Sequence, residues 1–467
     1  MDLEPKGTPL LAGRLAEFAS ALSYERIPSA VLARAKHLML DALGIAFAST
    51  GFDFAHRSLS ALRALSGAGE VPVIGFGECL SLRDAALLDG ILIHGLDYDD
   101  THSKGVVHLS ASQLPTVLCL GAHRHESGKE ALAAYVAGVE AASRLGAVAK
   151  GGFHQVGFHP TGLVGAFGSA LAAGKLMGLT QEQLVMAQGI ALSAAAGSLE
   201  FLEDGAWTKR FHAGWAAQCG ITAAALAQQG FVGARRAYEG RFGLYRSHLQ
   251  ERFCEQDLAL ADKGLGQVWE VMEVAVKPFP ACHFTHASID AAIALGQEER
   301  FDPSLIERVT ALLPAEVIGT VCEPQGNKKR PKNPYDAQFS IPFLVASALL
   351  RGRFTLAELS PEAIRDPEIL ALADRVQYEI DPDSGFPRCY SGEVCIETKD
   401  GRRSSKREAI NRGSSEKPLS EEEIEKKFHD NAGRALAPEK AREIARAILS
   451  LEEAGDLMVL ARTLSGG

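Results

Sequence analysis

The chain has 467 residues, 46% of them hydrophobic, and 48 Lys and Arg against 58 Asp and Glu for a formal net charge of −10. That length exceeds what one hydrophobic core usually supports, so two domains are expected. The acidic balance and scattered cations argue against nucleic acid as a partner, since the densest basic run, Lys328-Lys329-Arg330 with Lys332, is broken by prolines.

The N-terminal residues 1–9 are charged and short of apolar residues, which gives no targeting signal. From about residue 10 to 240 the apolar spacing is helical, with helices expected at 31–49, 82–93, 130–149, 162–177, 181–199 and 213–229. These segments are rich in Ala and Gly, which suits close backbone approach in a tightly packed bundle. Near residue 255 the texture changes. Residues 268–276, 308–313, 376–380 and 393–398 read as strands, mixed with helices at 286–297 and 338–351, and 403–417 reads as a polar linker or mobile loop. Helices at 420–428 and 438–450, with Ser and Pro at their starts, end the chain. The pattern predicts a mainly α protein with an α+β part: a large all-helical domain at 1–255 and 415–467, and a smaller α+β domain at 256–414. No stretch reaches the ~20 uninterrupted apolar residues of a membrane span. The eight cysteines stand singly, as reduced thiols in a cytoplasm would.

The chemistry concentrates in a few segments. His94-Gly95-Leu96-Asp97-Tyr98-Asp99-Asp100-Thr101-His102, followed by His108, packs three carboxylates and three imidazoles into fifteen residues. Acids so crowded repel unless cations, donors or a substrate offset them, and such crowding shifts pKa values. An Asp-rich cap or turn is the plain alternative. His159 precedes Pro160, a residue suited to a first helical turn, so its imidazole would sit by unpaired N–H groups and the positive end of a helix dipole, where anions bind. Lys209 and Arg210 come with Trp207 and His212 ahead of an Ala-rich helix, where the dipole disfavours cations; a carboxylate clamp has this composition. Lys277 is held by the stiff Pro278-Phe279-Pro280 turn, which suits a carboxylate-binding or basic amine. Cys282 beside His283 reads better as a buried structural thiol than as a nucleophile. No metal is expected, because Cys282, His283 and His286 lack a companion cluster, and Asp97, Asp99 and His102 lack the paired-histidine spacing of zinc proteases. Nucleotide-binding loops and a nucleophile elbow are missing from the sequence, so no cofactor is expected.

Together the motifs resemble the MmgE/PrpD family, which includes 2-methylcitrate dehydratase, cis-aconitate decarboxylase and iminodisuccinate epimerase. The resemblance runs nearly end to end: Asp41-Ala42-Leu43-Gly44, Asp97-Tyr98-Asp99-Asp100-Thr101, Phe158-His159-Pro160, Lys209 with His212, Lys277-Pro278-Phe279-Pro280-Ala281-Cys282, and Asp336-Ala337-Gln338-Phe339-Ser340-Ile341-Pro342. It implies a helical domain built from both chain ends, an inserted α+β domain, a polar cleft where they meet, and a homodimer. It places active-site residues at Asp97, Thr101, His108, His159, Lys209 and Lys277, and leaves open which residue fills the family's tyrosine role, with Tyr335 the first tyrosine near that segment.

The shared chemistry of such a family is removal of a proton alpha to a carboxylate of a small di- or tricarboxylate, with cations holding the carboxylates. On this reading His159, His108, Asp97, Lys209 and Lys277 are catalytic, and Thr101, Lys209, Arg210, Lys277 and His212 bind substrate. Where the dehydratase and decarboxylase branches show His-Pro-Ser, this chain has His108-Leu109-Ser110. That departure turns the expectation toward an epimerase of the iminodisuccinate type, with a hydro-lyase or decarboxylase as the alternative and a non-catalytic polycarboxylate-binding protein as the reading from another class.

Overall fold

Helical periodicity and small residues build the larger part of the molecule. The computed structural model describes residues 10–67, 69–299, 302–386 and 388–466, so the expectation for 1–9 lies outside the described residues. Contacts divide the chain into two units, Met1–Val274 with Ser420–Gly467, and Ala275–Leu419.

In the first unit the helices that matter for the site are α1 (Ser29–Ser49), α2 (Leu82–Ile93), α3 (Ser110–Arg124), α4 (Gly128–Val148), α5 (Pro160–Leu176), α6 (Gln181–Ala191) and α7 (Thr208–Gln228). Glycines set how closely they pack. A Cβ on Gly90 of α2 would lie 2.4 Å from the Cα of Gly214 on α7, and one on Gly214 would lie 2.0 Å from the Leu87 carbonyl oxygen. No side chain could yield there, because the neighbours are backbone. This contact fixes the end of α2 beside the start of α7. Helix α4 is long and apolar enough to cross a membrane, but 94% of that window is buried inside the protein.

The second unit carries a four-stranded sheet of β1 (Ile306–Leu313), β2 (Val376–Ile380), β3 (Gly392–Thr398) and β4 (Arg403–Glu408), in the order β2-β1-β3-β4. β1 pairs parallel with β2, Val309 opposite Val376, and antiparallel with β3, Val309 opposite Ile396. Alternate residues Gly392, Val394, Ile396 and Thr398 of β3 are buried, as a strand with one covered face requires. Helices α8 (His286–Glu299) and α9 (Ile341–Arg351) complete this unit. The chain then returns to the first unit with α10 (Glu421–Ala432) and α11 (Pro438–Leu449). A capping box of Ser420 and Glu423 starts α10.

A large, mainly helical part and a smaller α+β part are therefore present, the larger carrying short two-residue strands such as Val71–Pro72 and Cys79–Leu80, and several local expectations need correction. Residues 403–417 are no simple linker, because 403–408 form the edge strand β4, paired with β3 through Val394 opposite Lys406. The expected strand at 268–276 is a single turn of helix, Glu270–Glu273, followed by the two-residue strand Val274–Ala275. This stretch packs on α4: the buried Arg144 donates to the carbonyls of Lys263 and Val268 at 2.8 and 2.6 Å, and Glu140 Oε1 accepts from Val271 N–H at 2.9 Å. Such a fixed pair of charges holds irregular chain by its backbone. The helix expected at 181–199 stops at Ala191, and Trp215 Nε1 donates to the Ala194 carbonyl beyond it at 2.9 Å. The helix expected at 338–351 is two, Pro334–Gln338 and α9, each started by a capping side chain and an early proline.

Candidate active site

The site is built where four chain segments of the first unit converge. His94 caps the C-terminal end of α2, and the loop that follows turns sharply at Asp97, whose φ of 51° is left-handed. Asp and Asn tolerate that region better than most residues. The turn sends Asp97 and Asp99 in different directions. Asp99 is fully buried and meets two imidazoles: His94 Nδ1 at 2.8 Å and His108 Nδ1 at 3.4 Å. Burial pushes its carboxyl up, yet His94 and His108 hold it well below the usual range. Asp97 instead accepts from Lys209 Nζ at 2.7 Å, with His108 Nε2 4.0 Å away.

Asp100 does a third job. It caps α3 by accepting from the N–H groups of Leu109 and Ser110 at 2.9 and 3.1 Å, and it takes the Ser110 hydroxyl, which lies 2.6 Å from Tyr135 Oη. The cap explains why His108 emerges where it does. His108 N–H donates to Thr161 Oγ1 at 3.0 Å, and Thr101 Oγ1 stands 3.5 Å from His108 Nδ1.

His159 is the N-cap residue of α5, ahead of Pro160. Its ring stacks near His94, with centroids 5.5 Å apart and 16° between planes, and its Nδ1 lies 3.1 Å from His212 Nδ1. Burial first, then the neighbouring His94, Lys209, His212 and His108, lower its pKa well below the ordinary imidazole value. His212 is lowered to about 4 by burial, His94 and Lys209, and His154 to about 4 by burial and Lys209. Among the described residues, His94 Nε2 and His159 Nε2 are buried without a hydrogen-bond partner. An imidazole nitrogen so placed is fit to exchange a proton or a hydrogen bond with a bound molecule. His212 also lines a cavity of about 830 Å³ together with Gly197, Phe201, Phe211 and Trp215.

The structure thus brings Asp97, Thr101, His108, His159, Lys209 and His212 together. Arg210 is close by, with Nε donating to the Gly95 carbonyl at 2.6 Å and the guanidinium over the Phe54 ring at 4.6 Å. Lys209 and Arg210 lie inside α7, which starts at Thr208 rather than at 213. His102, the third imidazole of the motif, faces elsewhere: its Nε2 pairs with Glu270 Oε2 at 2.9 Å, and that hydrogen bond is the main reason the Glu270 carboxyl is lowered to about 2. Lys277 belongs to the second unit, where it is buried at the end of an extended segment whose Val276 N–H donates to the Gly413 carbonyl at 3.0 Å. Cys282 is buried with its N–H on the Gln338 carbonyl, and His283 Nε2 meets the Asn411 side-chain amide at 2.8 Å. Tyr335 is buried against Phe339, ring centroids 5.0 Å apart.

Two sets of groups could hold a metal, His94 with His108 and His159, and Asp97 with Asp99 and His108; within each the ligand atoms lie within 4.8 Å of one another. The first, all imidazole, has the donor chemistry of zinc or a neighbouring transition metal. The sequence reading gave no role to His94 or Asp99, which stand at the centre. Their spacing of five residues across a turn matches no helical or strand period, so only the left-handed turn at Asp97 brings them face to face.

Residues 13–256 match the family model of the MmgE/PrpD N-terminal domain, and residues 279–453 that of the MmgE/PrpD C-terminal domain. Among curated relatives, the cis-aconitate decarboxylase of Mus musculus is 29% identical over 462 residues, covering 95% of this chain and 91% of its own length. That of Aspergillus terreus is 28% identical over 480 residues, 97% of this chain and 96% of its own. The Homo sapiens enzyme of the same name is 29% identical over 467 residues, 96% and 94%.

Proposed function

The chain belongs to the MmgE/PrpD family, and on that premise we propose that it is a lyase releasing carbon dioxide from a small unsaturated polycarboxylate of the cis-aconitate type. The relatives named as decarboxylases align over nearly the whole chain, and they favour this reading over the epimerase, for which no relative speaks. The observation that carries it is the pairing of one ionised aspartate, Asp99, with His94 and His108 beside a buried His159.

In an allylic decarboxylation the bond to the departing carboxylate breaks, its electron pair forms a new double bond, and a proton is added at the far carbon of the old one. His159 or His108 is the proposed proton donor, and Asp99 stabilises positive charge on His94 and His108 during the transfer. Lys209, oriented by Asp97, is the proposed cation for a retained carboxylate, with Thr101, Arg210 and His212 shaping its surroundings. Lys277 is proposed for a second carboxylate on its motif match. Among the described residues no disulfide joins the eight cysteines, which fits a reducing compartment.

Proton and carbon NMR of the protein with cis-aconitate in deuterated buffer tests this. The expected outcome is bicarbonate plus a product with one deuterium in its saturated methylene. A stereoisomer with an unchanged carbon skeleton, formed from iminodisuccinate, would move the protein to the epimerases, and a dehydrated product from 2-methylcitrate to the hydro-lyases.

A further inference from the structure

The motif Asp41-Ala42-Leu43-Gly44 touches none of the reacting groups, yet it is where the end of the chain is received. A Cβ on Gly44 would lie 3.0 Å from the Cα and 3.1 Å from the side chain of Phe428, so the glycine lets α10 lie directly on α1. One residue before Phe428, the buried Lys427 reaches inward. Its Nζ pairs with Asp41 Oδ1 at 2.7 Å, donates to the Tyr98 carbonyl at 2.9 Å, and stands 3.8 Å from the centroid of the Tyr98 ring.

Tyr98 sits between Asp97 and Asp99, the two carboxylates that divide the site between Lys209 and the imidazoles. We infer that Lys427, anchored by Asp41, is a positioning residue that holds the Asp97–Asp99 turn in its catalytic shape from the far end of the chain; this rests on the reading of that turn as the active site. Three observations support it. The turn includes a left-handed aspartate, a conformation that persists only when its surroundings over-determine it. The ammonium grips both the backbone and the ring of the next residue. Burial raises the Asp41 carboxyl, and Lys427 is the main group opposing that rise, with Asp99 adding a smaller upward push. A single cation thus offsets the buried Asp41 while fixing the main chain at Tyr98.

The test uses the full chain with Lys427→Met, Asp41→Asn and the double variant, and Lys426→Ala as the control on the exposed side of the same helix, where Lys426 pairs with Asp430. Each single change takes from a buried charge its main opposite charge and should lower the melting temperature; the double change removes both charges and should restore much of it. Positioning predicts that turnover does not return with stability: the double variant stays on the order of 10–100-fold down in kcat with KM little changed. A second readout needs no substrate. Backbone amide hydrogen exchange, followed by mass spectrometry, reports how firmly the turn is held. Peptides covering residues 95–101 should exchange faster in the double variant, while those around the exposed His125, paired with Asp456 at 2.9 Å, should not. Recovery of full kcat with stability, or unchanged exchange across residues 95–101, would overturn the inference. If the unmodified protein turns over no polycarboxylate, the lyase reading falls, and the exchange result still decides the role of Lys427.

Discussion

Asp100 in the helical unit and Asp381 in the sheet unit are both almost wholly buried, and their carboxyls are driven in opposite directions. Asp100 meets a hydroxyl and two backbone N–H groups, which do not offset the effect of burial and of the neighbouring Asp99, so its pKa rises to about 7. Asp381 meets a guanidinium in two-pronged geometry, Arg407 Nη1 and Nη2 at 2.9 and 2.8 Å, with Ser391 Oγ at 2.5 Å; against the upward push of burial these hold its pKa below the ordinary value. Asp99 is a third case, its pKa held down by two imidazoles rather than a guanidinium. Arginine cannot lose its proton, so its carboxylate is locked as structure. Imidazoles and hydroxyls impose no such lock, and the helical unit is where Asp99 and Asp100 meet them.

The contrast is broken most severely at Asp99. Asp99→Asn keeps the shape and removes the charge that faces His94 and His108, and should lower kcat by about 100-fold or more together with some loss of stability near pH 7, since a lowered pKa makes the ionised form stabilising; a variant with near-normal kcat would show that the imidazoles work without it. Asp381→Asn should leave its effect in stability instead, a loss of about 1–3 kcal/mol near pH 7 by denaturant unfolding. A lowered folded-state pKa contributes stability above the unfolded value and loses it as pH falls through the folded one, so this difference should shrink toward pH 3. Asp100→Asn is the smallest and has the opposite sign. The raised pKa means that the folded state binds the proton more tightly, so wild-type stability drains away as pH climbs through the interval up to about 7. An asparagine does not titrate. Relative to wild type the variant should therefore gain as pH rises from about 4 to about 7 and level off above that; a gap that narrows with rising pH would contradict the assigned environment.

Much of this was legible in the chain itself. The helical periods, the small-residue contacts and the chemistry-bearing segments around Asp97, His159 and Lys209 are all visible, because amphipathic spacing and unusual residue company are local properties. Partner choice is not local. Nothing in the order of Asp97, Asp99 and Asp100 tells which will meet an amine, an imidazole or a helix end, and His102 looked as promising as His94 until Glu270, 168 residues on, claimed it. The edge strand β4 was hidden for another reason. Its residues Arg403–Glu408 are all exposed or half-buried, and an edge rich in charge, which discourages pairing with other chains, resembles a loop in composition. Asp41 and Lys427, separated by the whole second unit, carry no mutual signal in the sequence.

That separation has a bearing on how the protein is made. Helix α1 leaves the ribosome early, but the amine that its Asp41 receives lies 386 residues further on, a delay of about 20–80 seconds at ordinary elongation rates. Until then the nascent helical unit carries a buried acid without its main counter-charge and a turn without its prop, so α10 is among the last pieces to be fitted, and a ribosome-bound chain stopped short of Lys427 would be helical yet unfinished at the Asp97–Asp99 turn.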